Sequence, residues 1–460
     1  MKILIAGAGH GGLAAGSILA GYGHDVTVFE RCPEENLGYD WTDIFNMRCF
    51  GEAGIPMPPA GTYHSVPDFT FHNPACTTSV TAVIPEHLSE MGMERRDLLR
   101  HLIGFARESG VALEFEASVE GPLIEGKRVA GLAVKDKTGL REISADLVID
   151  AAGMDSPVRR QLPETWGLTR DYRRDQYFTV FRAFYSRTNA APLSDDRFNV
   201  YFYPLGQRTS AWSKNADGGD ILVPVYAAGW RRAVTWIARE EGYVDMMCGS
   251  FEDTTRQYAE DIRQSLLPRH PEMGDGILRG GQVAKIPVRR PVSRMVADGY
   301  AAVGDSAGMT VPIIGSGITN SIRAAKMLTD VILAAKDISA ASLWPYQVTY
   351  MKKIGAVHAG LDPLKTMMLS SGPEDVDFLF NRRILDSADM AKARTGREVT
   401  FTPPQMILRG LRGAGHMPAM LKMAGRLAAS QKLKRHAMGI PETYDEDAVQ
   451  AWAKAYDEIA

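Results

Sequence analysis

A chain of 460 residues is long enough for about three domains of ordinary size. Its composition, 45% hydrophobic and 23% charged, excludes a disordered, collagen-like or disulfide-scaffolded protein. The 52 basic and 55 acidic residues leave a net charge of −3, so the chain offers no electrostatic footprint for nucleic acid.

In chain order, Ile3-Leu4-Ile5-Ala6 is a short apolar run of the kind found in strands buried on both faces. Gly7-Ala8-Gly9-His10-Gly11-Gly12 follows, then a predicted helix from Leu13 to Tyr22 and a second strand, Val26-Thr27-Val28-Phe29, closed by Glu30. The fixed glycine spacing reads as a βαβ opening, not as a signal peptide. With no targeting segment and no apolar run of about 18 residues, a cytoplasmic protein is expected. Residues 31–80 read as irregular, Arg95–Gly110 as a helix and Val111–Phe115 as a strand. Residues 128–150 alternate like a hairpin that ends in Leu147-Val148-Ile149. From 172 to 290 the pattern is β-rich and aromatic, interrupted by a helix expected over Met246–Leu267. Residues 300–335 return to strand, Gly-rich loop and helix, and 340–460 read as mostly helical. The four cysteines (Cys32, Cys49, Cys76, Cys248) form no C-x-x-C pair. They read as buried or incidental thiols in a reducing compartment, with no metal site.

The chemistry starts at Gly7-x-Gly9-x-x-Gly12. The first glycine permits a tight turn, the second lets a pyrophosphate approach the backbone, and the third lets helix and strand pack closely. The phosphate would sit on the helix N-terminus, where unpaired N–H groups and the helix dipole favour an anion. Glu30, eighteen residues after Gly12, is placed to hydrogen-bond an adenosine ribose. This fingerprint predicts dinucleotide binding but does not separate NAD from FAD.

A second motif does, nearly three hundred residues later. Asp298-Gly299-Tyr300-Ala301-Ala302-Val303-Gly304-Asp305-Ser306-Ala307-Gly308 resembles the second FAD signature of the para-hydroxybenzoate-hydroxylase-like flavoprotein superfamily. Glu94-Arg95-Arg96-Asp97-Leu98-Leu99 resembles that family's Arg-x-x-Leu helix start. The resemblance implies that Asp305 holds the ribityl chain and that Arg95 contacts FAD. It also implies that the loop Pro312-Ile313-Ile314-Gly315-Ser316-Gly317-Ile318 lies against the isoalloxazine ring. The helix that follows would aim its partly positive N-terminus at the ring edge where reduced flavin is anionic. The expected cofactor-binding set is Gly7, Gly9, Gly11, Gly12, Glu30, Arg31, Arg95, Val119, Gly304, Asp305, Pro312, Gly315, Gly317 and Ile318.

Within the superfamily, Gly308 stands where aromatic hydroxylases usually carry a His. The run from Gly304 to Ile318 is more similar to the geranylgeranyl reductase branch, which reduces carbon–carbon double bonds of isoprenoid chains. Asn199-Val200-Tyr201-Phe202-Tyr203-Pro204 partly resembles that branch's Tyr-x-Trp-x-Phe-Pro substrate motif, with Pro204 the identical position. Tyr201, Tyr203 and Pro204 are therefore the expected substrate residues, against the alternative of an ordinary sheet strand. Two departures stand out. Ala152 replaces the acid of the hydroxylases' Gly-Ala-Asp-Gly element, which weakens the hydroxylase reading and leaves the electron donor open between NAD(P)H and another carrier. Asn36-Leu37-Gly38-Tyr39-Asp40-Trp41 stands where the reductases have a Cys-Gly element, so no catalytic Cys carries over. No Trp-x-Trp-x-Ile-Pro of the flavin halogenases is present.

The fold expected is α/β: a doubly wound, Rossmann-like FAD-binding domain with an inserted β-sheet substrate domain and a helical C-terminal region. The boundaries expected are 1–171 and 291–340 for the FAD-binding domain, 172–290 for the substrate domain and 341–460 for the helical region. The function expected is an FAD-dependent reductase of carbon–carbon double bonds on a hydrophobic, isoprenoid or lipid-like substrate. The alternatives are a monooxygenase hydroxylating a small aromatic or apolar substrate, and a flavin-binding protein without turnover. Tyr39, Tyr201 and Tyr203 are the candidate proton donors, and no catalytic residue is assigned. Residues 401–440 hold seven Lys/Arg, five Met and no Asp or Glu. They read either as a basic amphipathic surface for peripheral contact with an anionic membrane or as a helical cap packing its Met/Leu face on the core. Glu442, Asp445, Glu446 and Asp447 follow and are placed to pair with that basic stretch.

Overall fold

The computed structural model describes residues 1–188, 198–203, 208–214, 220–226 and 233–459, with 208–214 and 220–226 as backbone. The first strand, Lys2–Ala6, is buried from Ile3 onward and lies at the centre of a six-stranded sheet. The strand order is Val296–Ala297, Tyr300–Ala302, Leu147–Asp150, Lys2–Ala6, Asp25–Phe29, Ala112–Glu114. Every pairing but the outermost one, Val296–Ala297 on Tyr300–Ala302, is parallel. Such a sheet must be covered on both faces, which is why its strands are near-continuous apolar runs. The helix His10–Gly21 covers it with Leu13, Ala14, Ala15 and Leu19. That helix also packs on Ile318–Ala334.

A second, seven-stranded sheet is built mainly from the region expected as the substrate domain. Its order is Met273–Pro287, Tyr177–Arg187, Tyr243–Ser250, Ala233–Arg239, Phe198–Phe202, Phe69–His72, Ser79–Ala82. Strand alternation divides its residues cleanly. Phe181, Ala183, Tyr185, Ile237, Met246 and Cys248 pack under the helix Arg256–Leu266. Val180, Val200, Phe202, Val234, Trp236 and Met247 face the opposite way, into a cavity.

Several expectations are corrected here. Residues 31–80 are not irregular throughout. Phe69–His72 joins the substrate sheet by parallel pairing with Phe198–Phe202, and Ser79–Ala82 forms the edge beyond it. Thr42–Phe45 and Tyr63–Ser65 flank Met91–Glu94 in a small antiparallel sheet. The helix expected over Met246–Leu267 is a strand, Tyr243–Ser250, followed by the shorter helix Arg256–Leu266. The apparent hairpin of 128–150 belongs to a three-stranded antiparallel sheet of Ser118–Glu125, Arg128–Asp136 and Gly139–Ser144.

The C-terminal region is helical. Met417–Met438 packs along Ala356–Ser370, with Met423 and Leu433 inward. Pro403–Gly413 does the reverse of a helical cap: Met406, Ile407, Leu408 and Leu411 are exposed, and Arg409 is buried. The acidic stretch does not pair with 401–440. Glu442 pairs with Lys352 and Glu446 with Arg294. Among the described residues no helix is long and apolar enough to cross a membrane. Cys49 and Cys248 are buried, and none of the four cysteines forms a disulfide among the described residues.

Candidate functional site

The glycine turn is built as a cradle. Gly7 has φ +97°, and a Cβ there would lie 2.6 Å from the Ala151 carbonyl oxygen. A Cβ on Gly12 would lie 2.4 Å from the Gly7 carbonyl oxygen, so neither position admits a side chain. A Cβ on Gly9 would meet nothing closer than 3.8 Å. This is the open side of the turn, where a phosphate can reach the backbone. No acid occupies the first turn of the helix that follows and no side chain caps it, so its terminal N–H groups stay available to an anion. Gly11 faces inward instead: a Cβ there would sit 3.2 Å from the Val303 side chain.

Glu30 follows the second strand. Its two carboxylate oxygens accept hydrogen bonds from Ala8 N–H and Cys32 N–H, each 3.0 Å, which hold it beside the cradle. Arg31 is exposed, and Val119 is half-buried against the core. Ala117 N–H donates to Glu30 carbonyl oxygen (2.9 Å), so the segment leading to Val119 runs past Glu30.

The second motif meets the first across the sheet. Gly304–Ala307 forms a single turn after the strand Tyr300–Ala302. Burial pushes the Asp305 carboxyl up to about 6, against the opposing charge of Arg95. A Cβ on Gly317 would lie 3.3 Å from Asp305 Oδ1, so the loop after Pro312 folds back over the acid. Gly315, at φ +70°, would drive a Cβ to 2.8 Å from Ile286 of the substrate sheet. Gly315, Gly317 and Ile318 line the cavity. Thr319, in the first turn of the next helix, accepts from Asn46 N–H at 3.1 Å and donates to Asn46 carbonyl oxygen at 3.2 Å.

Arg95 makes a bidentate pair with Asp43, Nε–Oδ2 2.7 Å and Nη2–Oδ1 2.6 Å. Both residues line the cavity. Burial raises the Asp43 carboxyl, but the charge and hydrogen bonds of Arg95 outweigh it and hold the group below its ordinary value. The Arg95 guanidinium lies over the rings of Tyr39 and Trp41, 5.5 and 5.7 Å from their centroids. His10 sits in the same field. Burial first, and then Arg95, depress it to about 4, so it is neutral at pH 7.

The cavity, about 260 Å³, runs from this cluster between the substrate sheet and the C-terminal helices. Its walls are Phe69, Phe71, Val180, Val200, Phe202, Trp236, Met247, Leu364, Met367, Met423 and Leu427, among others. The charged groups on it are paired: Asp43 with Arg95, Glu90 with Arg394 (3.1 Å), Lys365 with Asp362 (2.8 Å), Arg182 with Asp245 (2.5 Å).

The expected substrate tyrosines are not on this wall. Tyr201 points to the opposite face, where its hydroxyl meets His270 Nε2 at 2.7 Å and its ring stacks on His72. Tyr203 donates to the carbonyl oxygens of Met368 (2.5 Å) and Ser371 (3.3 Å), behind the apolar cluster of Phe202, Met367 and Met423 that lines the cavity. Their neighbours Val200 and Phe202 line the cavity instead. Pro204 lies outside the described residues.

The profile of the family described as "FAD binding domain" matches residues 1–337. This chain belongs to that family. Among relatives of this FAD-binding-domain protein is the digeranylgeranylglycerophospholipid reductase of Sulfolobus acidocaldarius, 20% identical over 99% of this chain and 96% of that one. A solved geranylgeranyl bacteriochlorophyll reductase-like protein from Thermoplasma acidophilum superposes with TM-score 0.67 at 17% identity, covering 92% of this chain and 98% of that one. CmlS, a flavin-dependent halogenase, superposes with TM-score 0.58 at 16% identity, covering 99% of this chain and 76% of that one. These structural likenesses show a shared fold.

The residues present fit FAD. The open side of Gly9 and the uncapped helix would take the pyrophosphate, Glu30 the adenosine ribose, and Asp305 the ribityl hydroxyls. The cavity end at Asp43, Arg95 and Gly315–Ile318 is where the ring would meet a substrate. Sequence reasoning missed Asp43, whose pairing with Arg95 comes from the register of Thr42–Phe45 on Met91–Glu94. It also missed Asp150, which accepts from Ser156 Oγ (2.6 Å), Tyr300 Oη (3.0 Å) and Ala152 N–H (3.1 Å). Asp150 thereby ties the two halves of the cofactor domain together.

Proposed function

We propose that this FAD-binding-domain protein is an FAD-dependent reductase of carbon–carbon double bonds in a long, apolar, isoprenoid or lipid-like substrate. The observation that carries the reading is the cavity: aliphatic and aromatic walls begin at the flavin-side loop Gly315–Ile318 and continue to Met423 and Leu427. The names of the relatives support the same substrate class. Bound FAD would supply hydride transfer; the chain's own residues align an alkene beside it and keep water out. The paired charges along the wall serve that exclusion, because each is neutralised by a protein partner and leaves no bare ion to hydrate. Neither Tyr201 nor Tyr203 is placed to deliver the proton, and Tyr39 is held against Trp41 at 4.6 Å. NAD(P)H or another electron carrier would recharge the cofactor, and contact with a membrane surface through 401–440 belongs to the same reading.

The experiment is an anaerobic turnover. Purified protein is reconstituted with FAD, reduced by NADPH or by dithionite, and mixed with a detergent-dispersed polyprenyl lipid. The reading expects flavin re-oxidation and a product that gains one pair of hydrogens per double bond. In a parallel aerobic reaction with NADPH, substrate-dependent oxygen consumption with an oxygenated product would instead place the protein among the monooxygenases.

A further inference from the structure

The helix Pro403–Gly413 is inside out. It is well made: Thr402 caps it through a reciprocal pair with Gln405, and prolines occupy its first turn. Its apolar residues, however, point to water. Met406, Ile407, Leu408, Leu411, Met417 and Leu421 each expose 48–72% of their surface. They are six of the twelve large apolar residues with 48% or more exposed among the described residues, gathered into one stretch. The inward residue is Arg409, which reaches Asp386 Oδ2 (2.7 Å), Asp389 Oδ2 (2.5 Å) and the Ile384 carbonyl oxygen (2.6 Å) and lies over the Phe401 ring. These bonds fix the rotation of the helix. The outward apolar stripe at 407, 408 and 411 is therefore held in place by the fold. Scattered exposed apolar residues need no explanation, but a contiguous patch does.

We infer that this face, the helix Pro403–Gly413 with the start of Met417–Met438, docks on an anionic lipid surface. Charge complementarity selects that occupant. Residues 401–440 contain seven Lys/Arg and no acid; Arg409 is turned inward onto Asp386 and Asp389 and Lys434 pairs with Glu398, which leaves five to face an anion. Arg412 is exposed at the end of the helix and donates to the Arg383 carbonyl oxygen (3.2 Å), which brings the exposed Arg382 and Arg383 beside it. An apolar stripe rimmed by arginines is the pattern of a helix lying in the bilayer interface. The position also suits the cavity. Phe401 and Asp389, which Arg409 grips from the inner side of the helix, are cavity wall residues. One helix thus separates the lipid surface from the substrate chamber, an arrangement that rests on the reading of a lipid-like substrate.

The test is co-sedimentation of the FAD-loaded full chain with vesicles of phosphatidylcholine, alone or mixed in equal parts with phosphatidylglycerol. Ile407→Glu/Leu411→Glu is compared with the unsubstituted protein; both positions are exposed, so flavin content and melting temperature should not change. The expected result is binding to the mixed vesicles at least about tenfold tighter than to neutral ones, and loss of that binding in the variant. An unsubstituted protein that stays in the supernatant overturns the inference. So does a variant that sediments equally well, or a soluble dimer that the variant splits without any vesicle binding. Turnover of detergent-dispersed substrate is measured on the same samples. Its failure alongside intact vesicle binding would reject the reductase reading and leave the docking surface standing.

Discussion

His10 and Asp305 both lie in the field of Arg95, and their proton balances oppose one another. Burial raises Asp305 to about 6 and, with Arg95, lowers His10 to about 4. Between about pH 4 and pH 6 the folded protein therefore holds a proton on Asp305 that the unfolded chain lacks, and lacks one on His10 that the unfolded chain holds. The two slopes cancel. Removing either residue should uncover the other. In apo-protein, Asp305→Asn is expected to make stability rise with pH across this window relative to wild type. His10→Gln is expected to make it fall, each by on the order of 2 kcal/mol. Denaturant titrations at several pH values check this, and curves parallel to wild type would refute it. Asp305→Ala should purify with little flavin, and full flavin occupancy in that variant would count against its assigned place on the ribityl chain. The shapes of the glycine turn and of the loop over Asp305 were legible in the sequence because each is set within a few residues: Gly7 and Gly12 admit no side chain, and Gly317 lies against the acid. Asp43 was not legible, because only the pairing of two short strands places it on Arg95.

Strand alternation decides what the substrate sheet offers. Val200 and Phe202 line the cavity, whereas Tyr201 is turned to the helix side. The sequence carries aromatics at both parities of 198–203, so the pattern alone could not tell which set faces the flavin; the register with Phe69–His72 and Ala233–Arg239 settles it. Tyr201→Phe should leave turnover unchanged while lowering stability by about 1–2 kcal/mol, since His270 loses a buried partner. Val200→Phe should raise KM for long substrates more than for short ones. Steady-state kinetics on substrates of two chain lengths, with a melting curve for each variant, separate these outcomes. The helix Pro403–Gly413 misled in a similar way. Its apolar stripe is plain in the sequence, but its direction is set by Arg409, whose acceptors lie on other elements. Arg409→Met should cost about 3–5 kcal/mol by leaving Asp389 buried and unpaired. Arg409→Met/Asp389→Asn should recover much of that. A double variant no more stable than the single one would show that the pair does not lock the helix.

Across the whole molecule, the seven-stranded sheet is stitched to the small sheet of Thr42–Phe45 and Met91–Glu94 next to the flavin side of the cavity. Arg279, on the long strand Met273–Pro287, donates to Glu94 at 2.7 and 2.9 Å and to Thr42 Oγ1 at 3.1 Å. Arg182 donates to the Thr42 carbonyl oxygen at 2.6 Å. Both anchor the seven-stranded sheet to the strand that carries Asp43, and Arg279 anchors it also to Glu94, the residue preceding Arg95. The protein should consequently melt in one transition, and FAD at about 100 times its Kd should add about 2.7 kcal/mol to that single event. A calorimetric trace with two peaks, only one of them moved by FAD, would show that the domains are uncoupled. That the two distant motifs meet in one parallel sheet was legible in the sequence. The recruitment of Phe69–His72, and with it the neighbouring Ser79–Ala82, was not, because the strand that Phe69–His72 joins comes more than a hundred residues later. That same non-local order bears on how the chain is made. The strand Leu147–Asp150 is buried at all four residues, yet its neighbour Tyr300–Ala302 follows about 150 residues later. At ~5–20 residues per second, the ribosome takes roughly 8–30 s to deliver it. Throughout that interval a flat, apolar strand edge stands open on the nascent protein, a template for pairing with the wrong chain. The hazard for this protein therefore lies in its synthesis: expression should depend on chaperone cover during translation far more than the finished molecule's stability would suggest.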